Sequence, residues 1–310
     1  MNEAVHAQLN ELVDELVDVP EFNHLLKTFI RDKAGERSNW GNITESTHRM
    51  LGGNSPHIQR YAALTEMLIL SLDIADDLQD RDNDTKTWCQ CPQELALNAV
   101  LAFLAGAFAE IGRLGGETIG GGPDAGQIAS IVMRSVNGQY RDLAVTAETE
   151  EAYIAMVADK SGSLLRLACC MGYSGLKLPK ETVDQLDELA IYLGIIAQID
   201  NDLNDLLRFD TKNDVFQRKR TLPVFYLLED DDESFPYLRQ YYGGELSQED
   251  FIVHKQACIR YIENSGCVEY SRIIQQLYMK KAEALLAGID AVSPWKEKFM
   301  EANFIPVTTA

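Results

Sequence analysis

Strand signals are almost missing from this chain: no alternating β-branched runs closed by hairpin dipeptides interrupt it. That excludes sheet-based folds. Positive charge is scarce too, with 28 Lys and Arg against 48 Asp and Glu and a formal net charge of −20. No basic surface is therefore available to neutralise a nucleic-acid backbone, and an anionic membrane surface is disfavoured in the same way. The five histidines are scattered, and none stands near the six cysteines at zinc-ligand spacing, so the cysteines read as reduced thiols. The first residues, Met1 to His6, have no basic start or apolar core, and no apolar run reads as long enough to span a bilayer. A cytoplasmic protein without a membrane span is the expectation.

What is present is helical periodicity through 310 residues, 46% of them hydrophobic, enough to bury a full core. Leu9, Leu12, Val13, Leu16 and Val17 mark an amphipathic first helix, and a second runs from Phe22 to Ile30 beyond Pro20. A turn rich in Gly and Pro, Met50 to Pro56, leads into a strongly apolar helix through Leu72. Further helices are expected over Glu94 to Leu114, Ala125 to Leu143, Glu150 to Tyr173, Glu181 to Leu207, Gln248 to Asn264 and Val268 to Gly288. Gly120-Gly121-Gly122-Pro123 is a loop, and Asp230-Asp231-Asp232-Glu233 an acidic turn. No solenoid-length repeat and no linker appear, so residues 1–310 read as a single all-α domain. Trp40, Trp88 and Trp295 are expected to pack.

Two of these helices end alike. The first closes on Asp73-Ile74-Ala75-Asp76-Asp77-Leu78-Gln79-Asp80, where residues three and four apart stack carboxylates on one side. A solvated acidic terminus would be the simpler account of one such end. The second helix, however, follows Leu193 to Ala197 with Gln198, Asp200, Asn201, Asp202, Asn204 and Asp205. Two apolar helices that each finish in carboxylates make best sense side by side, at the mouth of a shared cavity in a helical bundle. Carboxylates cannot bind a polyanion directly, so a diphosphate there requires divalent cations, and Mg²⁺ is the natural bridge between carboxylate and phosphate oxygens. The matching chemistry is ionisation of an allylic diphosphate in a dry pocket where a nucleophile waits.

The chain resembles the trans-isoprenyl diphosphate synthase superfamily in five ordered segments. Glu66 to Asp80 looks like that family's first aspartate-rich helix. Gly138-Gln139-Tyr140-Arg141-Asp142-Leu143 resembles its GQxxDL segment, and Tyr153 leading to Lys160-Ser161-Gly162 resembles YxxxxxxKTG. Gly194 to Asp205 resembles GxxFQxxDDxxD, and Lys219-Arg220-Thr221-Leu222-Pro223 resembles KxTLP. The resemblance implies an isoprenoid-synthase helical bundle around a central cavity, and a homodimer. It implies Mg²⁺ ligation by Asp76, Asp77 and Asp80 from one side and by Asn201, Asp202 and Asp205 from the other, with Asn201 standing where the family usually has Asp. Lys160, Gln198 and Lys219 would hold the allylic diphosphate, and Asp76, Asp77 and Lys160 would carry the catalytic step. Asp73 fits the acidic face but has no ligand counterpart in the family pattern.

The departures bear on the acceptor. Where chain-elongating members carry GGKxxR, this chain has Gly52-Gly53-Asn54-Ser55-Pro56-His57, and where they carry RRG it has Thr85-Lys86-Thr87. Without those cations a second diphosphate is hard to hold in so acidic a site. This pattern resembles the ComQ-type isoprenyl transferases of bacterial quorum sensing. The resemblance implies transfer of a geranyl or farnesyl group to a tryptophan of a pheromone precursor peptide. The alternatives are a polyprenyl diphosphate synthase using isopentenyl diphosphate, a terpene cyclase, and a non-catalytic regulatory subunit. The donor's tail is expected to run down the first acidic helix past Leu72 and Leu68.

Overall fold

The computed structural model describes residues 1–36, 40–80, 83–117, 121–208, 213–229 and 235–303, and among them there is no strand. Arg81, Asp82, Gly120 and the expected acidic turn Asp230 to Glu233 lie outside the described residues. In order the helices are α1 (Glu3–Leu16), α2 (Pro20–Gly35), α3 (Trp40–Met50), α4 (Ile58–Asp80), α5 (Thr87–Gln90), α6 (Gln93–Glu117), α7 (Ala125–Leu143) and α8 (Glu150–Val157). A π-helical turn, Ala158–Gly162, joins α8 to α9 (Ser163–Tyr173). There follow α10 (Lys180–Arg208), α11 (Leu222–Glu229), α12 (Tyr237–Tyr242), α13 (Gln248–Ile252), α14 (Lys255–Ser265), α15 (Cys267–Gly288) and α16 (Trp295–Asn303).

The helices begin where short polar side chains satisfy first-turn N–H groups: Asn2 accepts from the Val5 amide, Asp124 from Gln127 and Thr149 from Ala152. Pro20 opens α2, where its missing N–H is harmless. At the centre lies α4, with Tyr61 to Ser71 buried on every side, as expected of a helix that is apolar all round. Helix α10 is its counterpart, burying Leu186, Leu189, Leu193, Ile196, Ile199 and Leu203. A smaller apolar cluster built by Val224, Leu238, Tyr241 and Phe251 sits beside the end of α10 through Leu206.

Three differences from the sequence reading have clear causes. Helix α3 hides in a polar stretch because its polar groups are buried and paired: the Gly41 amide donates to Glu66 at 2.8 Å, and Thr44 Oγ1 to the Ala168 carbonyl at 3.0 Å. His48 Nδ1 donates to the Gly172 carbonyl at 2.7 Å while Nε2 accepts from the Ser55 amide at 3.0 Å, pinning the Gly52–Ser55 turn. The expected helix from Glu150 to Tyr173 is interrupted by the π turn. A Cβ on Gly138 would come within 2.3 Å of the Lys160 amide nitrogen, and one on Gly194 within 2.5 Å of Gly162 Cα. The turn is thus wedged between α7 and α10, which pass at glycine backbones. The last difference concerns membranes: Gln93–Gly116 is, by length and composition alone, long and apolar enough to cross one, contrary to the reading that no such run exists. Ala96, Ala99, Phe103, Ala107 and Ile111 of that helix are buried in the bundle core, while Leu95, Leu97 and Leu101 are exposed.

Candidate functional site: two joined cavities between α4 and α10

The carboxyl ends of α4 and α10 open onto two cavities that share Asp76, Lys160, Gln198 and Asn201. One, of about 520 Å³, is polar and adds Asp80, Asp142, Tyr153, Asp202, Asp205, Asp214 and Lys219. The other, of about 410 Å³, is walled by Trp40, Leu72, Val136, Leu143, Leu164 and Leu165, with Asp73, Ser135, Gln139 and Ser161 among the polar groups at its edge. A charged chamber therefore leads into an apolar one of the size that holds a small ligand.

Lys160 Nζ donates to Asp142 at 2.7 Å and lies 3.5 Å from Asp76. Lys219 Nζ donates to Asp80 at 3.0 Å and lies 3.5 Å from Asp214. Burial works against both ammonium charges, but the surrounding carboxylates outweigh it and hold both above the ordinary lysine range. Gln198 receives the Ser161 hydroxyl on Oε1 at 2.7 Å and donates to Asp202 Oδ1 at 2.8 Å. The other oxygen of Asp202 accepts from the buried Tyr153 hydroxyl. Asp205 is held by the Asp214 amide and by Arg208, each at 2.7 Å.

Asp77, expected among the metal ligands and catalytic groups, does not join this cluster. Its Oδ2 accepts from the Trp88 indole at 2.7 Å, and it lines a separate cavity with Cys89 and Cys91. Successive helical residues are about 100° apart, and that step turns Asp77 toward α5 while Asp76 lines the chamber. Asp202 is in place on the polar chamber but buried, its two oxygens accepting from Tyr153 and Gln198. Asp76, Asp80, Asn201, Asp205, Lys160, Gln198 and Lys219 all reach the polar chamber. Asp142, Tyr153, Ser161 and Asp214 were given no role from sequence. The first three lie inside the quoted family segments, whereas nothing in sequence singles out Asp214. Trp40, expected only to pack, lines the apolar chamber.

Among the described residues no three acidic, His or Cys side chains form a closed metal cage. Mg²⁺ does not need one, since it is commonly held by one or two carboxylates plus substrate phosphates. The residues present suit such an ion: Asp76 Oδ1 is buried and accepts no hydrogen bond. Burial raises the Asp76 carboxyl above its usual range, pushes Asp202 up to about 7 and Asp214 to about 6. A cation would relieve that penalty.

The chain is 27% identical over 281 residues to a tryptophan prenyltransferase ComQ of Bacillus spizizenii, covering 89% of this chain and 96% of that one. It is 28% identical to the ComQ of Bacillus subtilis strain 168, covering 94% and 93%. Among solved structures, a polyprenyl synthase from Caulobacter crescentus CB15, complexed with calcium and isoprenyl diphosphate, superposes with a TM-score of 0.78. It is 20% identical and covers 99% of this chain and 95% of that one, so it speaks for the fold. The sequence profile of the polyprenyl synthetase family matches residues 27–260, and the chain belongs to that family.

Proposed function

We propose that the protein is a Mg²⁺-dependent prenyltransferase that moves a geranyl or farnesyl group from its diphosphate to a tryptophan of a precursor peptide, in cytoplasmic quorum-sensing chemistry. The observation that carries this reading is the pair of joined chambers, charged and apolar, meeting at Asp76, Lys160, Gln198 and Asn201. A diphosphate in the polar chamber would lie beside Lys160 and Lys219, with its tail against Leu72, Leu164 and Leu165. Bound Mg²⁺, with Asp76 and Asp80 on one side and Asn201 and Asp205 on the other, would neutralise charge building on the leaving diphosphate. Lys160 and Lys219 add fixed positive charge there, and Gln198, held by Ser161 and Asp202, presents an oriented amide to the reacting carbon.

The acceptor follows from charges that are missing or already spent. Asn54 and His57 are exposed and line neither chamber. Lys86, the one cation of Thr85-Lys86-Thr87, pairs with Glu36, while Lys33 pairs with Glu36 at 2.7 Å and Asp73 at 2.7 Å. Two cations balanced by two anions have nothing left for a second diphosphate. A neutral aromatic acceptor meets no such need, in keeping with the two relatives named as tryptophan prenyltransferases. A homodimer fits the outer face of α6 and α7. Leu95, Leu97, Leu101 and Met133 are exposed there, and α6 carries no charge between Glu94 and Glu110. Two molecules of net charge −20 could meet on that neutral face.

The test is incubation with Mg²⁺, geranyl or farnesyl diphosphate, and either isopentenyl diphosphate or a tryptophan-containing precursor peptide. Prenylated peptide by mass spectrometry, with little elongated diphosphate, is expected. Efficient elongation without peptide transfer would instead establish a polyprenyl diphosphate synthase.

A further inference from the structure

Asp73 is the carboxylate that the metal site does not explain. It lies one turn below Asp76 on the same side of α4 and faces the apolar chamber with Trp40, Leu72 and Leu165. Lys33 Nζ stands 2.7 Å from its Oδ2, and Glu36 holds that ammonium from the other side at 2.7 Å. Despite that close ammonium the Asp73 Oδ2 is buried and completes no hydrogen bond. A carboxylate oxygen left open to an apolar cavity carries a desolvation cost unless a donor arrives there, and burial already raises the Asp73 carboxyl above its usual range. Lys33 holds the carboxylate in place, so it is an acceptor awaiting a donor. The donor must come from a largely apolar molecule, because Trp40, Leu72 and Leu165 wall the space beside Asp73, and not from a second anion, because the neighbouring cations are already paired.

An indole meets that description: its ring is apolar, its only polar group is an N–H donor, and Trp40 offers it an aromatic surface. Resting on the proposed transfer to tryptophan, we propose that Asp73 is the acceptor-side catalytic residue, whose carboxylate receives the indole N–H and takes its proton as the new bond forms. The allylic C–O bond breaks and its electron pair leaves with the diphosphate. The indole C2–C3 π electrons form the C3–carbon bond, the N–H electrons become the C=N bond of a neutral 3H-indole, and the proton goes to Asp73. Charge and atoms balance without an oxidant or reductant. Asp76 and Asp73 divide the work along one helix face, with the leaving group above and the nucleophile's proton below, about 5–6 Å apart at Cβ.

The experiment uses the full chain with Mg²⁺, the donor diphosphate and two forms of the tryptophan peptide, natural and 1-methyltryptophan, which has no N–H. On the natural peptide Asp73→Asn should lower kcat/KM by roughly 100-fold or more, the range of a lost general base. On the 1-methyl peptide the wild-type rate should fall to that of the variant, and the two proteins should then be equal. A purely structural role for the Asp73–Lys33 pair would depress both peptides by the same factor and would overturn the proposal, as would an unaffected variant on the natural peptide. Wild-type protein that prenylates no tryptophan peptide overturns the proposed function and this inference together. Transfer that Asp73→Asn leaves intact overturns this inference alone.

Discussion

Replacing Leu72 by Phe tests the placement of the donor's tail. On α4 the apolar chamber is lined by Gln79, Asp76, Ala75, Asp73 and Leu72, but not by Leu68 one turn further, which is fully buried in the core. The cavity thus leaves this helix at Leu72, about 5–6 Å below Asp76, and continues against Leu164 and Leu165. The expectation that Leu68 lines the same wall is corrected accordingly. A phenyl ring at position 72 would intrude where the tail turns. Losing room for even one methylene in an apolar pocket is worth about 1–3 kcal/mol, roughly 10- to 200-fold in specificity. Because Leu72 is only half-buried, the stability cost should sit near the lower end of the ~1–3 kcal/mol typical of overpacking. The assay is competition of dimethylallyl, geranyl and farnesyl diphosphates at fixed acceptor, with circular dichroism to verify the fold. A shift toward the shorter donors is expected. An unchanged preference in a folded variant would mean that the tail does not pass Leu72.

Asp76→Ala should lower turnover by orders of magnitude with helicity intact, and activity should vanish in EDTA and return with Mg²⁺; full activity in EDTA would refute the metal-assisted reading. Asp77→Ala should cost far less, since Asp77 pairs with Trp88 outside the chamber, and equal losses in the two variants would contradict that assignment. The Asp202 carboxyl, pushed up to about 7 by burial, holds a proton that the unfolded chain releases near pH 3.9, so its contribution to metal-free stability grows as pH falls from about 7 toward 4. Asp202→Asn should flatten that part of a melting-temperature series, and parallel wild-type and variant profiles would count against it. Leu101→Asp, at a position 65% exposed on the uncharged face of α6, should turn a dimer into monomers in sedimentation velocity; an unaltered dimer would place the interface elsewhere.

The all-α class, the buried α4 and α10 and their acidic ends were legible in the sequence because apolar periodicity and carboxylate spacing are local properties. The ordered segments around Gln139, Lys160, Gln198 and Lys219 also marked groups that come together from distant parts of the chain. Local pattern could not say which of two adjacent aspartates faces inward: Asp76 and Asp77 look equivalent until Trp88 claims one of them. It also concealed α3, whose Thr44 and His48 side chains read as solvated loop but find partners on α4 and α9. The π turn is invisible for the same reason, since the need for it arises from glycine backbones of α7 and α10 closing on Lys160 and Gly162. Composition and periodicity determine which residues leave water. Only packing decides which hydrogen bonds they complete there, and so which carboxylates of an acidic chain remain open to a substrate.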